Sequence, residues 1–320
     1  MKLLICLLLL MTTTNANATA PVSIISPDAD SFVDSGIITI VLKADRAKLD
    51  LISISVTDEA GKAYSAAEIP LKRDIIHYGL MLHPGTNQVE VRASKQGRML
   101  EQIRLSIYYR ERSSNQYKTP PSGYEKNLFH TPAKEAGCTA CHDMDGTPKA
   151  PKDSTCKICH RRIVDFKFVH GPAAVWACLS CHDKDSAPER YAVIKPDSRL
   201  CIQCHEETMQ IWAAKRYRHG PSLISCTICH DPHATDQPFR AHIKTTSHCL
   251  SCHREKASGA HVIQGFSRAG HPTGGVPDPL RPGREFTCAG CHNPHAGDTP
   301  NLLYYDNTRM GHFCTICHKK

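Results

Sequence analysis

Eight copies of one five-residue pattern, Cys-x-x-Cys-His, limit what the C-terminal part of this chain can become. They read CTACH at Cys138, CKICH at Cys156, CLSCH at Cys178 and CIQCH at Cys201, then CTICH at Cys226, CLSCH at Cys249, CAGCH at Cys288 and CTICH at Cys314. The second thiols are Cys141, Cys159, Cys181, Cys204, Cys229, Cys252, Cys291 and Cys317. The closing histidines are His142, His160, His182, His205, His230, His253, His292 and His318. Together the motifs use 16 of the 17 cysteines and leave only Cys6. A disulfide framework has no reason to set a histidine after every second cysteine. Zinc sites use paired Cys-x-x-Cys knuckles, and eight following histidines would be wasted. Thioether attachment of haem uses all three residues: two thiols add to the vinyl groups on one porphyrin edge, and the adjacent imidazole binds the iron as its proximal ligand. The expected cofactor is therefore haem c, covalently bound at eight places.

The N-terminus bears on the compartment. MKLLICLLLL gives a basic residue and then an apolar run, and Ala16-Asn17-Ala18 has the small-x-small form of a cleavage site, so residues 1–18 read as a signal peptide. The run Leu3–Met11 is too short to span a bilayer, and no other stretch is apolar enough to try. The expected product is an exported chain, periplasmic or associated with the cell surface, with no transmembrane span. Its formal charge of +8 falls to +7 without Lys2. Two propionates on each of eight haems would turn that into a net negative charge, with many lysines and arginines neutralising propionates. Nucleic acid is not an expected partner, because the basic residues are scattered among acidic ones.

Two regions follow different logic. Residues 19–112 hold no cysteine, and GIITIVLKAD, LDLISISVTDEAGKAY, NQVEVRASKQG and LEQIRLSIYYR alternate with period two between turn signals. This predicts an all-β, antiparallel sandwich. The segments PVSIISPDADSFV, ISVTDEAG, LMLHPGTNQVEVRAS and IRLSIYY resemble bacterial immunoglobulin-like or fibronectin-like exported modules. His77 and His83 fall here and read as surface or loop histidines. Residues 113–128, polar and proline-containing, read as a linker. Residues 129–320 carry 18 of the 20 histidines but only short hydrophobic runs. Such a chain cannot build an ordinary aliphatic core, so haem must supply one, with short helices and little sheet around it.

Internal repetition divides this region into four units of two motifs each. They open on FHTPAKEAGCTACHDMDG, VHGPAAVWACLSCHDKDS, RHGPSLISCTICHDPHAT and AGHPTGGVPDPLRPGREFTCAGCHNPHAG, so a leading histidine recurs at His130, His170, His219 and His271. In units three and four another lies three residues past the proximal one, at His233 and His295. The order His-Gly-Pro, Cys-x-x-Cys-His-Asp-Pro-His, Cys-x-x-Cys-His resembles the doubled-CxxCH multihaem c-type cytochrome family. Units one and two depart from that pattern, with Asp145 and Asp185 where the second histidine would stand. His233 is too close to His230 to reach around the ring that His230 binds, so it must serve a different haem, and likewise His295. Eight irons need eight distal ligands. Six histidines fit the repeat, and His242 and His312 complete the expected set, with His248 and His261 as the remaining candidates.

Iron with two histidine ligands has no open position, and histidine in place of methionine keeps its potential low. The expectation is an electron-transfer protein, not an enzyme, which passes electrons between redox protein partners across or beyond the periplasm. Two other readings stay open. One is a multihaem oxidoreductase for nitrogen or sulfur oxyanions, which usually shows an altered motif at its active haem; none occurs here. The other is a subunit of an outer-membrane conduit, homo-oligomer or cytochrome filament.

Overall fold

The computed structural model describes residues 20–112, 114, 116–139, 142–144, 146, 148–257, 271–304 and 312–318. The segment expected to be a signal peptide, Cys141, Asp145 and His261 lie outside them, as does the side chain of His312.

The N-terminal region is all-β. Strands β1 (Val22–Ser26), β3 (Ile37–Ala44) and β6 (Ile75–Met81) form one antiparallel sheet in the order β1-β3-β6. Strands β2 (Ser31–Val33), β4 (Leu51–Thr57), β5 (Ala63–Pro70), β7 (Gly85–Lys95), β8 (Arg98–Tyr109) and β9 (Glu125–Lys126) form a second, in the order β5-β4-β7-β8-β2-β9. Alternation sets the burial. In β4, Ile52, Ile54 and Val56 point inward, and in β7 Val89, Val91 and Ala93 do the same. They meet Ile40, Leu42 and Leu80 of the other sheet and Ile107 of β8 in one core. Each of these valine, leucine and isoleucine side chains contributes roughly 1.5–3 kcal/mol by leaving water.

Two details differ from the sequence expectation. The sandwich is not wholly antiparallel, because β2 runs parallel to both β8 and β9. The chain enters β2 by crossing from one sheet to the other, so no hairpin fixes its direction. The segment 113–128 is also more than a linker. Its end pairs along β2 as β9, and Asn127 N–H donates to the Phe32 carbonyl at 2.9 Å. A free strand edge offers unpaired backbone groups that a polar segment can satisfy.

Beyond residue 128 the architecture changes to short helices and little sheet. Among the described residues the longest helix is Asp197–Ala213, and it breaks at His205, the closing residue of a motif (φ −109°, ψ 29°). Every described strand there has two residues: β10 (Phe168–Val169), β11 (His182–Asp183), β12 (Ala192–Val193), β13 (Tyr217–Arg218), β14 (Ala234–Thr235) and β15 (Ala296–Gly297). Its buried hydrophobic residues, among those described, are Ala234, Phe286 and Ala296. No described helix is long and apolar enough to cross a membrane.

Candidate haem-binding site

The five-residue motif folds into one helical turn. The closing histidine's N–H donates to the carbonyl of the first cysteine at 2.8–3.0 Å in the motifs ending at His142, His160, His230, His253, His292 and His318. Positions i, i+3 and i+4 share one face of such a turn. The spacing therefore sends two sulfurs and one imidazole to the same side, as an edge-linked porphyrin with a ligated iron requires.

Further contacts orient the imidazoles. His182, His230 and His292 each donate from Nδ1 to a carbonyl nine residues on, those of Tyr191, Phe239 and Asn301, at 2.7, 2.8 and 2.6 Å. The leading His170 donates from Nδ1 to the Pro232 carbonyl at 2.9 Å, and the Pro294 backbone lies beside the His219 ring in the corresponding place. His130 Nδ1 lies 2.7 Å from Oε1 of Glu135, a buried carboxylate that also engages Arg190. With its proton fixed on Nδ1, a neutral imidazole presents the Nε2 lone pair to a metal. Burial favours the neutral form of six rings: His160 and His295 are pushed down to about 4, and His170, His182, His219 and His230 are also lowered, in each case first by desolvation.

The rings come together in pairs, and six pairs join a motif histidine to one outside the motifs. His160 neighbours His130 with centroids 6.0 Å apart, His205 neighbours His170 at 6.2 Å, and His182 neighbours His233 at 6.1 Å. His253 neighbours His219 at 6.2 Å, His230 neighbours His295 at 5.9 Å, and His318 neighbours His271 at 6.2 Å. A metal–nitrogen bond is about 2 Å long and a ring centre lies about 1 Å behind its nitrogen. Two imidazoles on opposite faces of one iron should therefore have centroids roughly 6 Å apart. The spacing and the donor chemistry both fit haem.

His242 is placed differently from the expectation. Its ring neighbours His248 at 6.5 Å, and its Nε2 donates to the Thr227 carbonyl at 2.9 Å. That carbonyl lies within the motif that closes at His230, so local hydrogen bonding accounts for where the ring sits.

The segments bearing these histidines are tied across units. Strand β10 pairs with β14, and His170 N–H donates to the His233 carbonyl at 2.8 Å. Strand β13 pairs with β15, and His219 N–H donates to the His295 carbonyl at 2.8 Å. Sulfur neighbours show the order of the motifs. Cys156 meets Cys178, Cys201 meets Cys226, and Cys249 meets Cys288. Cys159 neighbours Cys138, and likewise Cys181 neighbours Cys204, Cys229 neighbours Cys252, and Cys291 neighbours Cys317. Consecutive motifs are thus neighbours in space. Motifs one to six line a continuous cavity of about 2870 Å³, well above the roughly 300–1,000 Å³ of an ordinary ligand site.

Comparison with known proteins agrees with this geometry. Residues 170–210, 219–258 and 279–320 each match the family model described as the doubled CXXCH motif. These repeats are consistent with a multihaem c-type cytochrome, and they indicate covalent binding of haem c. Unit one lies outside the matched ranges. No curated protein matches the chain. Among solved structures, the crystal structure of an engineered protein aligns at 15% identity with a TM-score of 0.23. It covers 28% of this chain and 19% of its own, a likeness too slight to bear on fold or function.

His77 reads in the sequence as a surface or loop histidine, and the structure places it otherwise. It lies on β6 with partial burial, and it lines the same cavity as Cys138 and His142. The alternating strand around it reads as sandwich, and nothing in the repeat points to it. His83, by contrast, stacks on Tyr64 at 3.8 Å and pairs with Asp58.

Proposed function

We propose that the chain is an exported, eight-haem c-type cytochrome that conducts electrons along a line of haems, each held by histidine on both faces. The observation that carries this reading is the set of six histidine pairs at 5.9–6.2 Å. In it His130, His170, His219, His233, His271 and His295 are distal ligands, and the closing histidine of every motif is proximal. His312, from outside the repeat, remains the expected candidate for the seventh motif. When bound, haem supplies a one-electron iron couple. The protein's part is to hold neutral imidazoles in place through their Nδ1 hydrogen bonds, and to leave no open coordination position for a substrate. All-histidine ligation keeps the potentials low, which suits exchange with redox protein partners in the periplasm or at the cell surface.

Intact-mass measurement of the matured chain tests the haem number, with an expected gain of about 5 kDa from eight thioether-linked groups. Reduced protein should be reoxidised by one-electron acceptors without sustained turnover of nitrite, hydroxylamine or tetrathionate. Steady turnover of any of the three would replace this reading with a catalytic one.

A further inference from the structure

The ring pairs obey a rule. Each leading histidine meets the second motif of its own unit: His130 with His160, His170 with His205, His219 with His253, and His271 with His318. Each histidine three residues past a motif meets the first motif of the preceding unit: His233 with His182, and His295 with His230. Under this rule the partner of His142, in the first motif of unit one, would come from position 185 in unit two. That position is Asp185, whose side chain is 73% exposed and pairs with Lys184 at 2.8 Å. Of the three first motifs that are followed by another unit, the repeat leaves this one alone without a histidine partner.

The sandwich packs against the first two motifs. Thr39 of β3 donates from Oγ1 to the Cys159 carbonyl at 3.0 Å, and Arg162 donates from Nη1 to the Gly79 carbonyl of β6 at 2.6 Å. The Arg162 side chain lies where a Cβ on Gly79 would be, and its guanidinium sits 5.6 Å from the Tyr78 ring centre. Two residues before His77 on the same strand, Ile75 Cδ1 comes within 4.0 Å of the Cβ position at Gly137, next to Cys138. Alternate residues of a strand share a face, so His77 projects from between the contact at Gly137, just before motif one, and the contact at Arg162, just after motif two. Its cross-strand partner Val41 is buried yet outside the sandwich core, and it lines the same cavity. His77 is half-buried, and it lines the same cavity as His142. His83 and His242 already have other ring partners.

We propose that His77 of the β-sandwich is the second axial ligand of the haem attached at Cys138 and Cys141, taking the place that the repeat leaves to Asp185. The sandwich is then a component of the electron path, closing its first haem against external ligands. This rests on the bis-histidine reading above. The two are separated by measuring carbon monoxide bound per molecule of reduced, matured, full-length protein.

Wild type is expected to bind none, and His77→Ala about one equivalent, the count for one iron losing one axial ligand. His83→Ala should match wild type. Binding by His77→Ala no greater than by wild type overturns the assignment of His77, while binding by wild type itself overturns the bis-histidine reading. Should His77→Ala fail to mature, His77→Met gives a second readout. Methionine in an axial position raises haem potential, so one step of the redox titration should move upward. A titration identical to wild type would overturn the assignment.

Discussion

Along β7 the side chains of Asn87, Val89, Val91 and Ala93 are fully buried, whereas from residue 150 to 257 the buried hydrophobics, among the described residues, come down to Ala234. The first region fills its interior with its own aliphatic side chains, in a pattern set by strand geometry. The second turns cysteine and histidine toward a common cavity and keeps its hydrophobic residues sparse. A polypeptide can leave its centre to a cofactor when that cofactor is apolar, bound by thioethers and clamped by imidazoles from two directions. It then needs only short turns, each set by a motif and a few carbonyl hydrogen bonds. The sandwich, with no such group, must provide a core of its own.

The sharpest way to break this comparison is to withhold haem. In chain produced without haem attachment, hydrogen exchange should stay slow across residues 22–109 and become nearly unprotected across 150–257. Retained protection in the second range would mean that the polypeptide has a core there after all. A smaller effect is expected within the sandwich. Leu42 is fully buried, so Leu42→Ala should cost about 2–5 kcal/mol of sandwich stability, read from denaturant unfolding by intrinsic fluorescence, while the haem absorption spectrum is unchanged. The smallest concerns the seam. Arg162→Ala removes the bond to the Gly79 carbonyl and the contact with Tyr78, a loss of about 1–2 kcal/mol. The two regions should then unfold at more widely separated denaturant concentrations; coincident transitions in wild type and variant alike would show that Arg162 does not couple them.

The same contrast explains what was legible in the sequence. Strands β4 and β7 could be read because inward and outward residues alternate, and the core they build is written in those residues. The motifs could be read because haem attachment needs two thiols and an imidazole within one helical turn. His233 and His295 could be assigned to other haems because three residues cannot pass around a ring. Which haem each one meets was not legible. His233 reaches His182 through the pairing of β14 with β10, and His295 reaches His230 as β15 pairs with β13; both pairings join segments more than sixty residues apart. His77 was hidden for a related reason. Its neighbours in sequence belong to a strand, and only the packing of β6 on Gly137 and Arg162 brings it to the haem region. The end of the 113–128 segment reads as linker in the sequence because a two-residue strand such as β9 has no periodicity to detect.

Electron paramagnetic resonance of the oxidised, full-length protein tests the central claim most directly, because spin state reports how many axial ligands each iron has. With histidine on both faces of every haem, the spectrum should contain low-spin ferric signals alone. A high-spin signal amounting to one haem or more per molecule would show an open iron and contradict the account of a saturated electron conduit.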